Sequence, residues 1–273
     1  MKLVGQTIIV TVLLMVVGVC GYKLWSISRQ YFDEKKVKNE LSQYRPELPE
    51  TVYAKGGDEG SFGAPVALSA HAADVLSMAA DKDANRPAAL ARIVNQSIVD
   101  LQSDVNHDII GWLTIPNTRI DYPFVIAGDN DFYLRRDVHR KLAAAGSIFM
   151  DYRCPGDLTG FNTVIYGHNM KNGSMFGSLR LFADPSFFDS NVSGVLFVKD
   201  NTYLLEIFAY MVVRADDNII YDPSADCEEF FEYVKDNARQ YREPSVRGNV
   251  VTLSTCAYEY DGARMVLLAT CVP

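Results

Sequence analysis

The chain has 273 residues, of which 48% are hydrophobic and 22% charged, which is the composition of a globular protein with a sizeable core. Its formal net charge of -8 excludes a general nucleic-acid binder, because phosphate contacts need clustered Lys and Arg and no such run occurs. The sequence also has no Gly-rich phosphate loop, CxxC pair or closely spaced His/Asp/Glu cluster, so neither a nucleotide nor a metal cofactor is expected.

The N-terminal segment over residues 3–22 carries no charged side chain. At ~1.5 Å per residue, a helix of this length crosses a ~30 Å hydrocarbon core. A cleaved signal peptide is the alternative, but its apolar region is usually shorter and ends in a small-residue cleavage site, which is not found here. Residues 1–24 are therefore predicted to form a transmembrane anchor.

Residues 25–85 are predicted to be a juxtamembrane helix followed by a spacer. The charged stretch 26–44 is compatible with a helix, whereas residues 45–65 are rich in Pro, Gly and Glu, as in linkers. An Ala-rich segment over 66–80 and a segment with helical apolar spacing over 88–105 predict two short helices, of which the second packs on the domain that follows.

From Ile109 onward, short β-branched and aromatic runs alternate with turn residues, which predicts about eight strands. Helical segments interrupt them at 175–182 and 226–241. Consecutive strands with few inserted helices are typical of a mixed β-barrel rather than of alternating βαβ units. The predicted strands are WLTIP, IDYPFVI, AAGSIFMDY, NTVIYGH, GVLFVKD, YLLEIFAYMVV, NVVTLSTC and RMVLLATC.

The dipeptide Thr-Cys occurs twice near the C-terminus, ending at Cys256 and at Cys271. Cys256 ends one predicted strand and Arg264 begins the next, so an antiparallel hairpin would place their Cβ atoms roughly 5 Å apart. Cys271 follows Arg264 by seven residues in the same strand, or roughly 23 Å at ~3.3 Å per residue. Only Cys256 can therefore share a site with Arg264, although a buried core cysteine remains the alternative for it.

A nucleophilic cysteine needs a group that handles its proton, and acyl chemistry needs a hydrogen-bond donor for the developing oxyanion. The guanidinium of Arg264 is a suitable donor. His168 is the candidate for the proton, because it follows an apolar strand and precedes a polar loop, where catalytic groups usually lie. His139 stands among charged residues and is predicted to be solvated surface.

These residues lie in motifs that resemble those of class B sortases, the membrane-anchored cysteine transpeptidases of Gram-positive cell surfaces. The motifs are TLSTC ending at Cys256, DGARMV around Arg264 and YGHNM around His168. Further similar stretches are GWLTIPNTRIDYPFV, DNDFYL and GSIFMDYR. The resemblance runs from about residue 88 to the C-terminus, and residues 86–273 are predicted to be the catalytic domain.

The resemblance implies a mainly β fold with added helices (α+β), an eight-stranded sortase-type β-barrel preceded by N-terminal helices and a transmembrane helix. It implies that Cys256 attacks the Thr carbonyl of a C-terminal sorting signal, NPxTN-like or PxTG-like, and forms a thioacyl enzyme. A peptidoglycan precursor amine of the lipid II type then resolves this intermediate. His168 serves as acid and base, and Arg264 steadies the oxyanion or the substrate backbone.

By motif position, the resemblance also implies a substrate groove, partners and a location. The partners are secreted proteins that bear the sorting signal, and the catalytic domain lies on the extracellular side of the cell membrane. No cofactor is implied. The predicted groove residues are Asn130, Leu134, Tyr166, Ser254, Ile220 and Tyr221.

Three alternatives remain open at the level of sequence. The first is a sortase that polymerises pilins or acts mainly as a hydrolase. The second is a papain-like or cell-wall endopeptidase, but those enzymes typically place Cys before His, whereas the order here is His168, Cys256, Arg264. The third is a non-catalytic, membrane-anchored binding module, which the presence of all three residues disfavours.

Overall fold

The structure is a computed structural model that describes residues 2–47, 94–257 and 261–272, without the side chains of residues 2–10, 12, 26, 27 and 30. The predicted helix at 66–80 and nearly all of the spacer lie outside the described residues. So do residues 88–93, with which the second predicted helix was expected to begin.

The described part of the chain contains helices, short 3-10 helices and nine strands. The helices are α1 (Lys2–Leu41), α2 (Gln96–Asp104), α3 (Pro185–Ser190) and α4 (Cys227–Asn237), with 3-10 helices at Ser42–Tyr44, Tyr133–Arg135 and Gly177–Ala183. The strands are β1 (Ile109–Thr114), β2 (Asp121–Val125), β3 (Ile148–Met150), β4 (Asn162–Tyr166), β5 (Ser193–Val198), β6 (Asn201–Arg214), β7 (Gln240–Tyr241), β8 (Val250–Cys256) and β9 (Ala263–Val272).

Eight of these strands close into a barrel in the order β5-β1-β2-β3-β4-β8-β9-β6, because β6 pairs with both β9 and β5. The pairs β2–β3 and β4–β8 are parallel, and the others in the circle are antiparallel. All eight predicted strands are present, which confirms the predicted barrel with added helices.

Strand β7 was not predicted, because the sequence suggested a helix that continued to Tyr241. Helix α4 instead ends at Asn237, where Ala238 adopts an extended conformation with ψ 144°. The chain then pairs β7 with Ala209 and Tyr210 of β6, outside the closed circle of strands.

Helix α4 packs an aromatic face on the barrel. Its first turn is capped by the side chain of Asp226, which accepts a hydrogen bond from the backbone of Glu229 at 3.1 Å. Phe230 and Phe231 are fully buried, and the ring of Phe231 lies 5.3 Å from that of Phe208 in β6. This packing fixes the loop that precedes α4, which contributes to the candidate site.

The C-terminal end of α1 and the following segment lie against the barrel. Leu41 is buried in a second core cluster with Ile98 and Leu101 of α2, so α2 packs on the domain as predicted. Glu40 lies 3.4 Å from Nε2 of His139, whose side chain is only 21% exposed. The prediction that His139 is solvated surface is therefore wrong, because α1 covers this residue.

Among the helices, as far as their residues are described, none is long and apolar enough to cross a membrane. The anchor over residues 1–24 stays a prediction.

The barrel interior should dominate the stability of the domain. Leu267 of β9 is 1% exposed between Leu253 of β8 and Tyr210 of β6, whereas Leu142 is 81% exposed. Leu267→Ala is expected to lower the free energy of unfolding by about 2–5 kcal/mol, since it leaves a cavity. Leu142→Ala removes the same atoms and should change it by less than about 0.5 kcal/mol.

Urea unfolding followed by tryptophan fluorescence measures both variants. Equal losses of stability would contradict the placement of these two residues.

Candidate active site

The candidate nucleophile stands where strand β8 reaches the barrel rim. Cys256 is the last residue of β8 and its only exposed position, after six buried residues. Across the antiparallel β8–β9 pair, Cys256 is in register with Arg264. The predicted hairpin neighbours are therefore confirmed as partners.

The other neighbour of β8 is the parallel strand β4, which leads to His168. Tyr166 is in register with Ser254, and the backbone N–H of Gly167 donates to the carbonyl of Ser254 at 3.2 Å. The chain on both sides of His168 is bonded to the end of β8, because Gly167 bonds to the carbonyl of Ser254 and Asn169 bonds to that of Cys256. His168 therefore lies near the rim end of β8 on the β4 side, and Arg264 is in register with Cys256 on the β9 side.

A side chain that the sequence analysis missed ties the two strand ends together. Nδ2 of Asn169 donates to the backbone carbonyl of Cys256 at 2.7 Å. This bond continues the β4–β8 pairing beyond the last backbone contact and fixes the nucleophile relative to the histidine.

The ring of His168 has one nitrogen engaged. Its Nε2 lies 2.6 Å from the backbone carbonyl of Leu134. A carbonyl oxygen only accepts hydrogen bonds, so we assign the proton to Nε2, which leaves Nδ1 of the neutral ring as a proton acceptor. Leu134, a predicted groove residue, therefore orients the imidazole through its backbone.

The glycine before His168 is required by close packing. A Cβ atom at Gly167 would lie 2.8 Å from the ring of Phe176, which real Cβ atoms do not tolerate. The backbone of Phe176 also donates to the carbonyl of His168 at 3.0 Å. The loop after β4 thus folds back under the histidine and holds its main chain.

Arg264 brings a positive charge to the same rim. Its side chain is partly buried, and Nη1 donates to the carbonyl of Ala263 at 3.0 Å. The other guanidinium donors make no hydrogen bond to the described residues. They are available to an oxyanion or to a peptide carbonyl.

The five cysteines are all free thiols with very different surroundings. Cys256 is exposed. Burial raises the pKa of Cys154 to about 11 and that of Cys271 to about 12. Cys271 lies opposite Leu205 in the β6–β9 pair, away from Arg264, so the second Thr-Cys belongs to the packing of the barrel.

These thiol environments predict selective alkylation. Only the thiolate reacts, so a pKa of about 12 leaves Cys271 almost wholly protonated at pH 8, and its rate should rise until pH approaches 12. We expect iodoacetamide at pH 8 to modify Cys256 well before Cys154 or Cys271, as followed by peptide mass mapping. Equal rates at Cys256 and Cys271 would contradict this assignment.

Two predicted groove residues, Tyr166 and Tyr221, form an aromatic wall beside the nucleophile, in which Tyr166 is partly exposed and Tyr221 is only 8% exposed. Their ring centroids are 6.2 Å apart with planes inclined by 27°, and the hydroxyl of Tyr221 lies 2.9 Å from that of Ser254. Burial raises the pKa of Tyr221 to about 12, while the positive charge of Arg264 opposes this rise and Cys256 adds to it. Tyr221 is thus within electrostatic reach of both Arg264 and Cys256.

The remaining groove candidates lie at different depths. Asn130 accepts a hydrogen bond from the backbone of Tyr152 at 3.1 Å and is partly exposed. Ser254 is 1% exposed and its hydroxyl lies 2.9 Å from that of Tyr221, so its side chain is buried and its prediction as a groove residue is corrected. Ile220 is completely buried, because Asp217 accepts a hydrogen bond from its backbone and turns the loop inward. Its side chain lies in the core, which corrects its prediction as a groove residue.

A charged pair that was not predicted from the sequence lies behind the aromatic wall, with a buried carboxylate and an arginine side chain that is 44% exposed. Asp151 is fully buried at the end of β3 and is paired with Arg153 at 2.8 Å. The available signal was an aspartate at the end of an apolar strand with an arginine two residues later. No group of three or more potential metal ligands is found in the part of the chain that the structure describes.

Comparison with known proteins points to one family. The sequence profile of the Sortase domain matches residues 113–272. Sortase B of Listeria monocytogenes is 39% identical over 181 residues, covering 64% of this chain and 73% of that protein.

Two solved structures are also similar. The Staphylococcus aureus sortase B–substrate complex matches with a TM-score of 0.61 and 27% identity, over 66% of this chain and 86% of that chain. A Streptococcus pyogenes class B sortase involved in pilus biogenesis matches with a TM-score of 0.59 and 30% identity, over 64% of this chain and 97% of that chain.

Proposed function

The chain belongs to the sortase family of cysteine transpeptidases, class B, and on this premise we propose that it cleaves a C-terminal sorting signal after Thr and transfers the acyl group to a cell-wall precursor amine. The single observation that carries the proposal is that the exposed thiol of Cys256 is in register with Arg264 of β9, while Asn169, the residue after His168, bonds to the carbonyl of Cys256.

In the proposed acylation, Sγ of Cys256 attacks the Thr carbonyl carbon and its proton passes to the free Nδ1 of His168. The guanidinium of Arg264 donates to the oxygen that becomes negative. The C–N bond then breaks, and His168 returns the proton to the leaving amine, which departs with the C-terminal remainder. The product is a thioester between Cys256 and Thr.

In the proposed transfer, the acceptor amine attacks the thioester carbonyl. His168 takes the proton that the amine loses, and the C–S bond breaks as the amide forms. The same proton then restores the thiol of Cys256. Water in place of the amine would give hydrolysis by identical steps, so the acceptor decides between transpeptidase and hydrolase.

The proposed substrates are secreted proteins with NPxTN-like or PxTG-like signals, and the proposed acceptor is a peptidoglycan precursor of the lipid II type. Similarity to the substrate-bound Staphylococcus aureus sortase B supports a peptide substrate. Polymerisation of pilins is the second candidate, which the similarity to the Streptococcus pyogenes class B sortase involved in pilus biogenesis favours. The uncharged segment 3–22 supports an anchored enzyme. Membership of the class B sortases is the basis for proposing that its catalytic domain faces the cell exterior.

A peptide panel tests this function. The full chain in detergent is mixed with quenched fluorescent peptides bearing NPQTN, PPKTG or LPETG cores, with and without hydroxylamine as acceptor, and products are identified by mass spectrometry. We expect cleavage after Thr, with the hydroxamate as the main product when hydroxylamine is present.

Each alternative has its own outcome in this panel. A mainly hydrolytic enzyme would give the free acid even with hydroxylamine. When hydroxylamine is replaced by an equimolar pair of peptide acceptors, a pilin polymerase would prefer a lysine-bearing pilin peptide over a cell-wall stem peptide. If no peptide were cleaved with any acceptor, the function would be wrong and the binding module would replace it.

A further inference from the structure

A fully buried carboxylate lies behind the aromatic wall formed by Tyr166 and Tyr221. Oδ1 of Asp151 accepts from the backbone N–H of Arg153 at 2.9 Å and from its Nε at 3.0 Å. Oδ2 accepts from Nη2 of Arg153 at 2.8 Å and from the hydroxyl of Tyr166 at 3.0 Å. A buried carboxylate is tolerated only when it is paired and hydrogen-bonded in this way, so these groups behave as one unit.

The arginine of this unit extends it to the loop before α4. Nη2 of Arg153 also donates to the backbone carbonyl of Tyr221 at 2.8 Å. One guanidinium nitrogen therefore bridges the carboxylate of Asp151 and the main chain of the second tyrosine. The arginine side chain is 44% exposed, so solvent screens its charge in part, but the carboxylate that it meets has no solvent contact.

Asp151 and Arg153 together contact both tyrosines of the wall. Each tyrosine in turn lies close to the catalytic residues. Tyr166 directly precedes Gly167 and His168, and its ring packs 5.4 Å from that of Phe149. The Tyr221 hydroxyl lies at hydrogen-bonding distance from that of Ser254, two residues before the nucleophile. Without the carboxylate, the hydroxyl of Tyr166 would lose its acceptor and Arg153 would keep only its bond to the carbonyl of Tyr221.

We propose that Asp151 and Arg153 are positioning residues that hold Tyr166 and Tyr221 as a preformed wall for the sorting-signal peptide. The inference rests on the proposed function, because the wall is assigned to a peptide substrate. A preformed wall removes the cost of ordering these side chains when the peptide binds. The pair therefore acts on substrate affinity and leaves the reactivity of Cys256 unchanged.

The charge state of the pair is compatible with this role at neutral pH. Burial opposes ionisation of Asp151, but hydrogen bonds from Arg153 and Tyr166 outweigh it and hold the pKa of this carboxyl below its ordinary value. Its contribution is fully present above the unfolded-state pKa of about 3.9 and is lost only as pH falls through the lower folded value. The wall should thus stay intact throughout the neutral range.

The test compares Asp151→Asn with Asp157→Asn in the full chain. Asp157 is an exposed aspartate that bonds to Thr159, so the control makes the same chemical change away from the wall. We expect Asp151→Asn to raise KM for the cleaved peptide about tenfold, as for loss of a charge-assisted hydrogen bond, with kcat changed less than about twofold. Alkylation of Cys256 by iodoacetamide should keep its wild-type rate.

A second variant separates positioning from a general loss of structure. Tyr166→Phe removes only the hydroxyl that meets Asp151, and it should raise KM by about threefold to tenfold. When Tyr166→Phe is already present, adding Asp151→Asn should raise KM by a clearly smaller factor than it does in the wild type, because the hydroxyl that Asp151 positions is then absent. If Asp151→Asn does not fold, the KM of Tyr166→Phe alone shows whether the bond between Asp151 and Tyr166 contributes to peptide binding.

The outcomes distinguish this proposal from the proposed function. An unchanged KM in both Asp151→Asn and Tyr166→Phe, or a fall in kcat alone, would overturn the positioning role while cleavage by the wild type still supported the transpeptidase. Absence of cleavage by the wild type, with normal alkylation of Cys256, would overturn both, since no peptide would then be bound by the wall.

Discussion

Cys256→Ala is expected to abolish peptide cleavage and transfer, by about 10⁴-fold or more, because removal of a nucleophile has cost on the order of 10⁶-fold in kcat in other covalent enzymes. Cys256 is the exposed end of β8 and is in register with Arg264. Without its sulfur no thioester forms, and the acyl group has no route to an acceptor. Steady-state cleavage of the fluorescent peptide measures the effect.

Cys271→Ala is the matched control, since it removes the same atom from the second Thr-Cys. Cys271 lies opposite Leu205 and is held protonated by burial, which raises its pKa to about 12. We expect the activity of this variant to stay within about twofold, with a modest loss of stability from the small cavity. Comparable losses of activity in the two variants would contradict the choice of nucleophile.

His168→Ala is expected to lower kcat by about 10²–10⁴-fold, which is the range of general acid–base catalysis. The prediction follows from the position of His168 next to Asn169, which bonds to the carbonyl of Cys256, and from its Nε2 bond to the carbonyl of Leu134, which leaves Nδ1 to exchange protons. The loss should fall on kcat more than on KM, because the imidazole acts in the proton transfers of the reaction and not in peptide binding.

His107→Ala serves as the control for this variant, because its side chain is 78% exposed and pairs with Asp108 on the surface. It should retain wild-type kinetics. A His168→Ala enzyme that folds normally and keeps its kcat would remove the imidazole from the mechanism and leave only Cys256 and Arg264.

The part of the site that could be predicted from sequence is the part made by local structure. Cys256 and Arg264 flank one hairpin, and an antiparallel hairpin of two alternating strands fixes their register whatever the rest of the fold. The same local signals predicted the eight barrel strands. They also separated Cys271 from the site, since a strand extends by a known distance per residue.

The rest depends on pairings between distant parts of the chain. His168 is brought near Cys256 by the parallel β4–β8 pair and the Asn169 bond, for which the residues themselves give no local signal. Arg153 contacts Tyr221 in the loop before α4, so its role depends on how that loop folds. Motif position predicted Ile220 as a groove residue, but the hydrogen bond from its backbone N–H to Asp217 turns its side chain into the core.

The central claim is that Cys256 carries the acyl group between donor and acceptor. The most direct measurement is intact-mass spectrometry of the enzyme quenched in acid during turnover of the peptide without an amine, followed by peptide mapping. We expect an adduct equal to the fragment ending in Thr, located on Cys256 and removed by hydroxylamine. Cleavage after Thr with no adduct under any quench time, or with an adduct on another residue, would contradict it.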